Sequence, residues 1–323
     1  MIKYSLKGSE EVVNFSYDKK TKTEVIVQFE NQLLPEVKVL KKHQLFSGKS
    51  GEIYAELNPK REGVIYLGLG HSKKLDNDEL RLAGFKLNQG LTQKKVKKAH
   101  LSFKSLTETK KVLSAFVEGI LHGNYSFDRY KSEPKEKVDV LLSLNGIKEY
   151  QSFIIEVTNL VNGVNIAKDF VNTPAFDLYP ENYAQKIQDL FKDSAVKVEV
   201  YNQAQIEELG MKGLLAVAQG SAREPRFVVM SYMPNKESEE HLTFVGKGLT
   251  YDSGGYAIKP ASSMVTMQCD MAGSAAVVGA LKAISDNKLP VNVVAVTAMA
   301  ENLISGKAYK NGDIISSMKG TTI

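Results

Sequence analysis

The sequence predicts an α/β fold in two domains, and three observations carry that expectation. Short β-branched runs alternate along the chain with stretches whose apolar residues recur every three or four positions. A length of 323 residues is enough for two domains that each bury a core. Hydrophobic residues at 43% and charged residues at 24% are ordinary for a globular chain.

In chain order, residues 11–17, 24–29 and Gly51–Leu57 alternate apolar with polar side chains, as half-buried strands do. Val64–Gly70 reads as a buried strand entering a Gly-rich turn, and it lacks the third glycine of a dinucleotide fingerprint. A helix is expected over about 76–95 and a strand over His100–Phe103. Ser105-Leu-Thr-Glu108 is a capping box for a helix striped by Val112, Leu113, Phe116, Val117, Ile120 and Leu121. After a polar loop at 131–137, Val138–Leu144 returns to strand. These elements define an N-terminal α/β domain with a mixed sheet, residues 1–150.

A long linking helix follows, about 145–172, with Phe153, Val157, Leu160, Val164 and Phe170 on its apolar stripe. It ends before Pro174, because the residue preceding proline is biased away from helix. The second domain, 151–323, then shows a helix from Pro180, a strand at Val196–Tyr201, a short helix at Gln203–Leu209 and a strand at Phe227–Tyr232. An apolar run at Leu242–Val245 stops at Gly246-Lys-Gly248, a helical pattern opens at Asp270 and ends near Asp286, and Val291–Val296 is a further strand. The second domain is thus expected to hold a central mixed sheet flanked by helices.

Composition narrows the function. One cysteine, Cys269, rules out an internal disulfide framework and fits a reducing compartment. No apolar run approaches membrane-spanning length and the first residues lack a signal-peptide core, so a cytoplasmic location and no membrane partner are expected. Residues 1–150 carry 27 Lys and Arg against 19 Asp and Glu. The densest cluster, Lys94-Lys95-Val96-Lys97-Lys98, has no interleaved aromatic residue and reads as a solvated helix end rather than a nucleic-acid contact.

The stretch that carries chemistry is 245–276. Lys247, Asp252, Lys259 and Asp270 put two lysines and two carboxylates in one short segment outside any amphipathic surface helix. Each has an ordinary reading: Asp252 as a turn residue, Asp270 as a helix cap, the lysines as surface charges. Together they suit a divalent ion. Carboxylate oxygens take hard or borderline cations, and a lysine amine joins them once the ion has displaced its proton. A lysine that stays charged would instead hold an oxyanion, so the set points to metal-assisted hydrolysis. Ser253 lies in no nucleophile elbow, and Cys269, with no histidine near it in sequence, reads as a small buried filler.

The motifs Gly246-Lys-Gly-Leu-Thr-Tyr-Asp-Ser-Gly-Gly255, Ile258-Lys-Pro260 and Cys269-Asp-Met-Ala-Gly-Ser-Ala-Ala276 resemble the active-site half of the leucyl aminopeptidase family, the two-metal cytosolic aminopeptidases. Ala167–Pro174, Phe116–Lys131, Glu301–Gly306 and Asn311-Gly-Asp313 extend the resemblance over most of the chain from about residue 100. It implies that Lys247, Asp252 and Asp270 are metal ligands, with Asp252 bridging two ions, zinc or manganese. It implies further that Lys259 is the catalytic lysine and that Met267 lines the pocket for the first side chain of a peptide substrate. Removal of N-terminal, leucine-like residues and assembly as a homo-hexamer follow from the same resemblance. In the family a strand like Ser316–Ile323 leads into Asn-Thr-Asp-Ala-Glu-Gly-Arg, which carries further ligands and an arginine; this sequence stops before it. The expectation is therefore a catalytic domain represented by its first half, with the second metal position unformed and activity of this chain alone impaired. The alternative is a non-catalytic binding or regulatory relative with an incomplete site.

Overall fold

The computed structural model describes residues 13–16, 21–102, 110–133, 140–143 and 151–323. The chain forms two units, Met1–Val161 and Asn162–Ile323.

In the first unit the described elements are β1 (Val13–Ser16), β2 (Thr23–Gln28), α1 (Pro35–Lys42), β3 (Ile53–Leu57), β4 (Gly63–Gly68), α2 (Asn77–Gln93), β5 (Lys98–Ser102), α3 (Lys110–Gly123) and β6 (Val140–Ser143). The six strands form one mixed sheet in the order β1-β6-β5-β2-β4-β3. Every neighbouring pair is parallel except β3 with β4. Burial follows the pattern of the sequence: Val25 and Val27 on β2, Leu67 on β4, Leu87 on α2, and Leu113, Phe116 and Ile120 on α3 share one core. Asp76 starts α2 by accepting from the backbone N–H groups of Asp78 and Glu79, both at 2.9 Å. The capping box at 105–108 lies outside the described residues. α1 has no counterpart among the sequence expectations, because its eight residues bury only Val37 and are too few to show a period.

α2 and α3 cross at glycines. A Cβ on Gly84 would stand 2.1 Å from the Phe116 carbonyl oxygen, and one on Gly119 would stand 2.0 Å from that of Arg81. The two backbones therefore touch, and Arg81 reaches over the crossing to Glu118 at 2.9 Å.

α4 (Gln151–Asn172) supplies Ile154, Val157 and Val161 to the first core, and its later residues Ala167, Phe170 and Val171 pack on the second. The second unit continues with α5 (Pro180–Phe191), β7 (Lys197–Tyr201), α6 (Gln203–Glu208), α7 (Lys212–Ala218), β8 (Arg226–Tyr232), β9 (Leu242–Asp252), α8 (Ala261–Met264), α9 (Ala272–Asp286) and β10 (Val293–Asn302). The sheet order is β7-β8-β10-β9. β8 runs antiparallel to both its neighbours, and β9 and β10 are parallel through the crossover that contains α9. Tyr183, Phe191, Met230, Val278, Leu281 and Val293 make the core. No described helix is long and apolar enough to cross a membrane.

Just before β10, Asn292 is 5% exposed and pins the segment ahead of β9. Its amide nitrogen donates to the carbonyls of Asn235 and Ser238 at 2.9 Å and Glu240 at 3.3 Å, while its oxygen accepts from Asn235 N at 3.0 Å. Asn292→Ala removes the side-chain partner of all these backbone groups. It is expected to cost about 2 kcal/mol in urea-induced unfolding and to expose residues 235–240 to proteolysis.

Two strand expectations need correction, and the one over Val291–Val296 runs on to Asn302 as β10. The strand expected to stop at Gly246 continues to Asp252. The glycines at which the strand was expected to stop are strand residues facing inward: a Cβ on Gly246 would stand 2.7 Å from Ser274 Cα, and one on Gly248 would stand 2.6 Å from the Ala298 carbonyl oxygen. They permit α9 and β10 to approach β9 closely. The pairing of β9 with β10 is regular from Leu242 opposite Val293 to Leu249 opposite Ala300, then shifts so that Glu301 faces Tyr251 and Asn302 faces Asp252. Thr250 is the unpaired residue of this bulge, is 1% exposed, and donates its hydroxyl to Ala300 O at 3.3 Å.

Candidate functional site

β9 delivers two of the four singled-out side chains. Alternation along the strand turns Gly246 and Gly248 toward the packed side and leaves Lys247 between them exposed. At the end of the strand, beyond the bulge, Asp252 is only 8% exposed.

The loop after β9 folds back on itself. Lys259 N donates to Ser253 O at 2.9 Å, and Gly254 and Gly255 turn with φ of 90° and 63°. A Cβ on Gly254 would meet Ala257 O at 2.5 Å, so glycine is required there on both counts. The loop brings Lys259 Nζ to 2.6 Å from Asp252 Oδ2. The other oxygen, Oδ1, accepts from Gly254 N at 3.0 Å and from Asn302 Nδ2 at 2.8 Å. Burial pushes the Asp252 carboxyl up, but the hydrogen bonds from Lys259, Gly254 and Asn302 outweigh it and hold the group below its ordinary value. The hydrogen bond to Asp252 raises the Lys259 ammonium against desolvation, and the charges of Asp252 and Asp270 add to that rise. Both members stay ionised at neutral pH.

Asp270 ends a 3-10 turn, Met267–Cys269, with φ −72° and ψ 5°. It does not cap α9 as its position in the sequence suggests: Met271 occupies the cap and no side chain bonds there. The carboxylate turns instead toward β9, where Lys247 Nζ lies 2.8 Å from Oδ1. Oδ2 is buried and has no hydrogen-bond partner among the described residues. Close packing makes this reach possible, since a Cβ on Gly273 would stand 3.0 Å from Lys247 N.

Met267 places its sulfur 3.0 Å from Lys259 Nζ, so Met267 and Lys259 border the same space. The five residues singled out by sequence thus form two lysine–carboxylate pairs, with the methionine beside one of them. Ser253 serves the structure of the loop, since its hydroxyl donates to Asn302 O at 2.7 Å and accepts from Gly255 N at 3.2 Å. Cys269 is half-buried rather than the fully enclosed filler its sequence context suggests. Sequence reasoning does not find Asn302 as a partner of Asp252, because its position opposite that residue depends on the bulge.

The donor set fits a divalent cation. The buried Asp270 Oδ2 has no hydrogen-bond partner among the described residues, and Lys247 nitrogen and Asp252 oxygens can complete a borderline N/O environment around a cation beside it. Among the described residues no three His, Cys, Asp or Glu side chains gather as a metal site, so lysine nitrogen is needed to extend the set.

Comparison with known proteins agrees along the chain. Residues 12–134 match the model described as the N-terminal domain of the cytosol aminopeptidase family, and residues 165–323 match the catalytic domain of the same family. A probable cytosol aminopeptidase of Treponema denticola is 43% identical over 290 residues, covering 88% of this chain and 61% of the relative. One from Clostridium tetani is 43% identical over 293 residues, covering 88% and 60%. The chain therefore spans about 60% of the length of these curated relatives. Among solved structures, the bottromycin maturation enzyme BotP in complex with Mn superposes with a TM-score of 0.81 at 28% identity, covering 93% of this chain and 64% of that one. A cytosol aminopeptidase from Coxiella burnetii, at 22% identity and a TM-score of 0.79 over 96% of this chain and 65% of that one, shares the fold. Since two domain models of one family match in order and together span most of its length, the chain belongs to the cytosol aminopeptidase family.

Proposed function

We propose that this chain carries the lysine-bearing part of a divalent-metal aminopeptidase centre, which removes N-terminal, leucine-like residues from peptides. The observation that carries the reading is the pair of lysine–carboxylate contacts at the end of β9, with Asp270 Oδ2 left without a partner. Lys247, Asp252 and Asp270 would hold the ion, with Asp252 shared between two positions. The manganese of the BotP complex favours Mn2+, and zinc suits the same ligands. When bound, the ion supplies Lewis acidity toward the peptide carbonyl and lowers the pKa of water.

The remaining work belongs to side chains of this chain. Lys259, kept protonated by Asp252, presents a fixed positive charge that stabilises the oxyanion developing on the scissile carbonyl. The hydrogen bonds of Asp252 to Gly254 and Asn302 fix the carboxylate that orients it. Met267, flexible and polarizable, borders the space for the substrate's first side chain. Residues from about 151 onward would form the catalytic domain, with 1–150 an accessory domain, in a cytoplasmic homo-hexamer.

Lys259→Gln tests this reading. With the native protein loaded with Mn2+ and a leucine anilide as substrate, kcat is expected to fall about a hundredfold while KM changes little, because the lost contact forms in the transition state. An unchanged kcat would remove Lys259 from the chemistry.

A further inference from the structure

A second cluster of charge lies in the first unit, at the amino ends of β2, β4 and β5. The loops entering these strands enclose a cleft of about 720 Å³ bordered by Lys22, Lys60, Arg61, Lys95, Lys97 and Lys98. Among the described residues its one acidic wall residue, Glu62, is held by Lys22 at 3.2 Å. Six cations lining one cleft raise the local affinity for an anion.

The backbone beneath these side chains gives an independent indication. Arg61 and Lys95 have φ of 62° and 55°, and they are two of the four non-glycine residues with positive φ among the described residues. Arg61 sits in the turn between β3 and β4, where its N–H bonds to Asn58 O at 2.9 Å. Lys95 follows the end of α2, where its N–H bonds to Thr92 O at 3.0 Å. Glycine or asparagine is the unstrained choice at both places. A cation at each raises the folding cost, and both border the same cleft. Strain held at convergent positions is characteristic of ligand clamps.

The cleft is also built firmly. The Thr23 hydroxyl, on a residue 3% exposed, donates to Arg61 O at 2.9 Å. Asn58 Oδ1 accepts from Lys60 N at 2.9 Å and Glu62 N at 3.0 Å, and Leu141 N donates to Lys97 O at 2.9 Å. The volume is that of a small-molecule site, roughly 300–1,000 Å³. Among the described residues no aromatic side chain lines it to offer the stacking platform with which proteins hold single-stranded nucleic acid. Lysine ammonium groups suit phosphate oxygens as point charges, and the arginine adds a planar fork.

We propose that this cleft binds the polyphosphate group of a small ligand, with Arg61 and Lys95 as its principal clamps. The test is calorimetric titration of the full chain with inorganic triphosphate at low salt. One-to-one binding that weakens as salt is added is expected. The double variant Arg61→Gly with Lys95→Gly should bind at least about tenfold more weakly while its unfolding temperature holds or rises, since glycine relieves both backbones. Lys73→Ala with Lys74→Ala, which removes two cations outside the cleft, should leave binding unchanged. Absence of triphosphate binding, full affinity in the glycine variant, or equal loss in the lysine-to-alanine control would overturn the proposal. Inorganic phosphate binding as tightly as triphosphate would overturn it in favour of a site for a single anion. A duplex oligonucleotide that binds and is lost in the glycine variant, with triphosphate inert, would overturn it in favour of nucleic acid.

Discussion

Asp270→Asn is expected to weaken Mn2+ binding about a hundredfold, equivalent to about 2.7 kcal/mol, in calorimetric titration of the chain. The substitution preserves size and leaves an oxygen that can still accept from Lys247, now at 2.8 Å from Oδ1. What changes is the second atom. Oδ2 is buried with no described partner, and as an amide nitrogen it would aim two donors at the space a cation would occupy. Asp270 caps no helix, so the unfolding temperature should hardly move. Equal affinity of the variant and the parent chain would show that the carboxylate is no ligand; a large loss of stability would show instead that its contact with Lys247 is structural.

Gly119→Ala should be severely destabilising. The added Cβ would lie 2.0 Å from the Arg81 carbonyl oxygen, 2.7 Å from its carbon and 2.8 Å from its Cα. All three are backbone atoms of a helix, so no side-chain rotation relieves the overlap and α2 must move away from α3. A loss of about 3 kcal/mol or more in urea-induced unfolding is expected, with Leu87, Leu113, Phe116 and Ile120 losing packing together. Gly213→Ala in α7 is the internal comparison. Nothing lies within 4 Å of the methyl it would add, so the gain in helix propensity should stabilise by about 0.5–1 kcal/mol. Equal effects at the two glycines would mean that helix propensity, not the crossing, governs position 119.

Both results bear on what the sequence makes legible. Alternation locates β2, β3, β7 and β8 to within a residue or two, and three-to-four spacing locates α2, α4, α5 and α9, because each buries a whole stripe. Segments that bury little, such as α1 with Val37 alone, leave no periodic trace. α7 leaves none either; only Ala216 and Ala218 of its seven residues are buried. The candidate site is legible as a set of residue types and a family resemblance, but its local geometry is misread twice. Gly246 and Gly248 signal the end of a strand, although their missing side chains serve packing across it. Asp270 signals a helix cap, although the cap falls one residue later. Both errors have one source: glycine and aspartate carry the same local preferences whether they end an element or admit a neighbour, and only tertiary contact distinguishes the two.

The bulge at Thr250 acts as a phase shifter between two halves of a ruler. Upstream of it, β9 is in step with β10 and sets Lys247 among the glycines that press on α9; downstream, the step is reset so that Asp252 stands opposite Asn302 and is gripped by it. Were the ladder to run on unshifted past Ala300, Asn302 would fall opposite Tyr251 and the carboxylate would lose its amide. The two lysine–carboxylate pairs are therefore tuned by a single inserted residue that touches neither of them. A second residue inserted between positions 250 and 252 would carry Asp252 past Asn302 and detune the site while leaving every one of its chemical groups in the sequence.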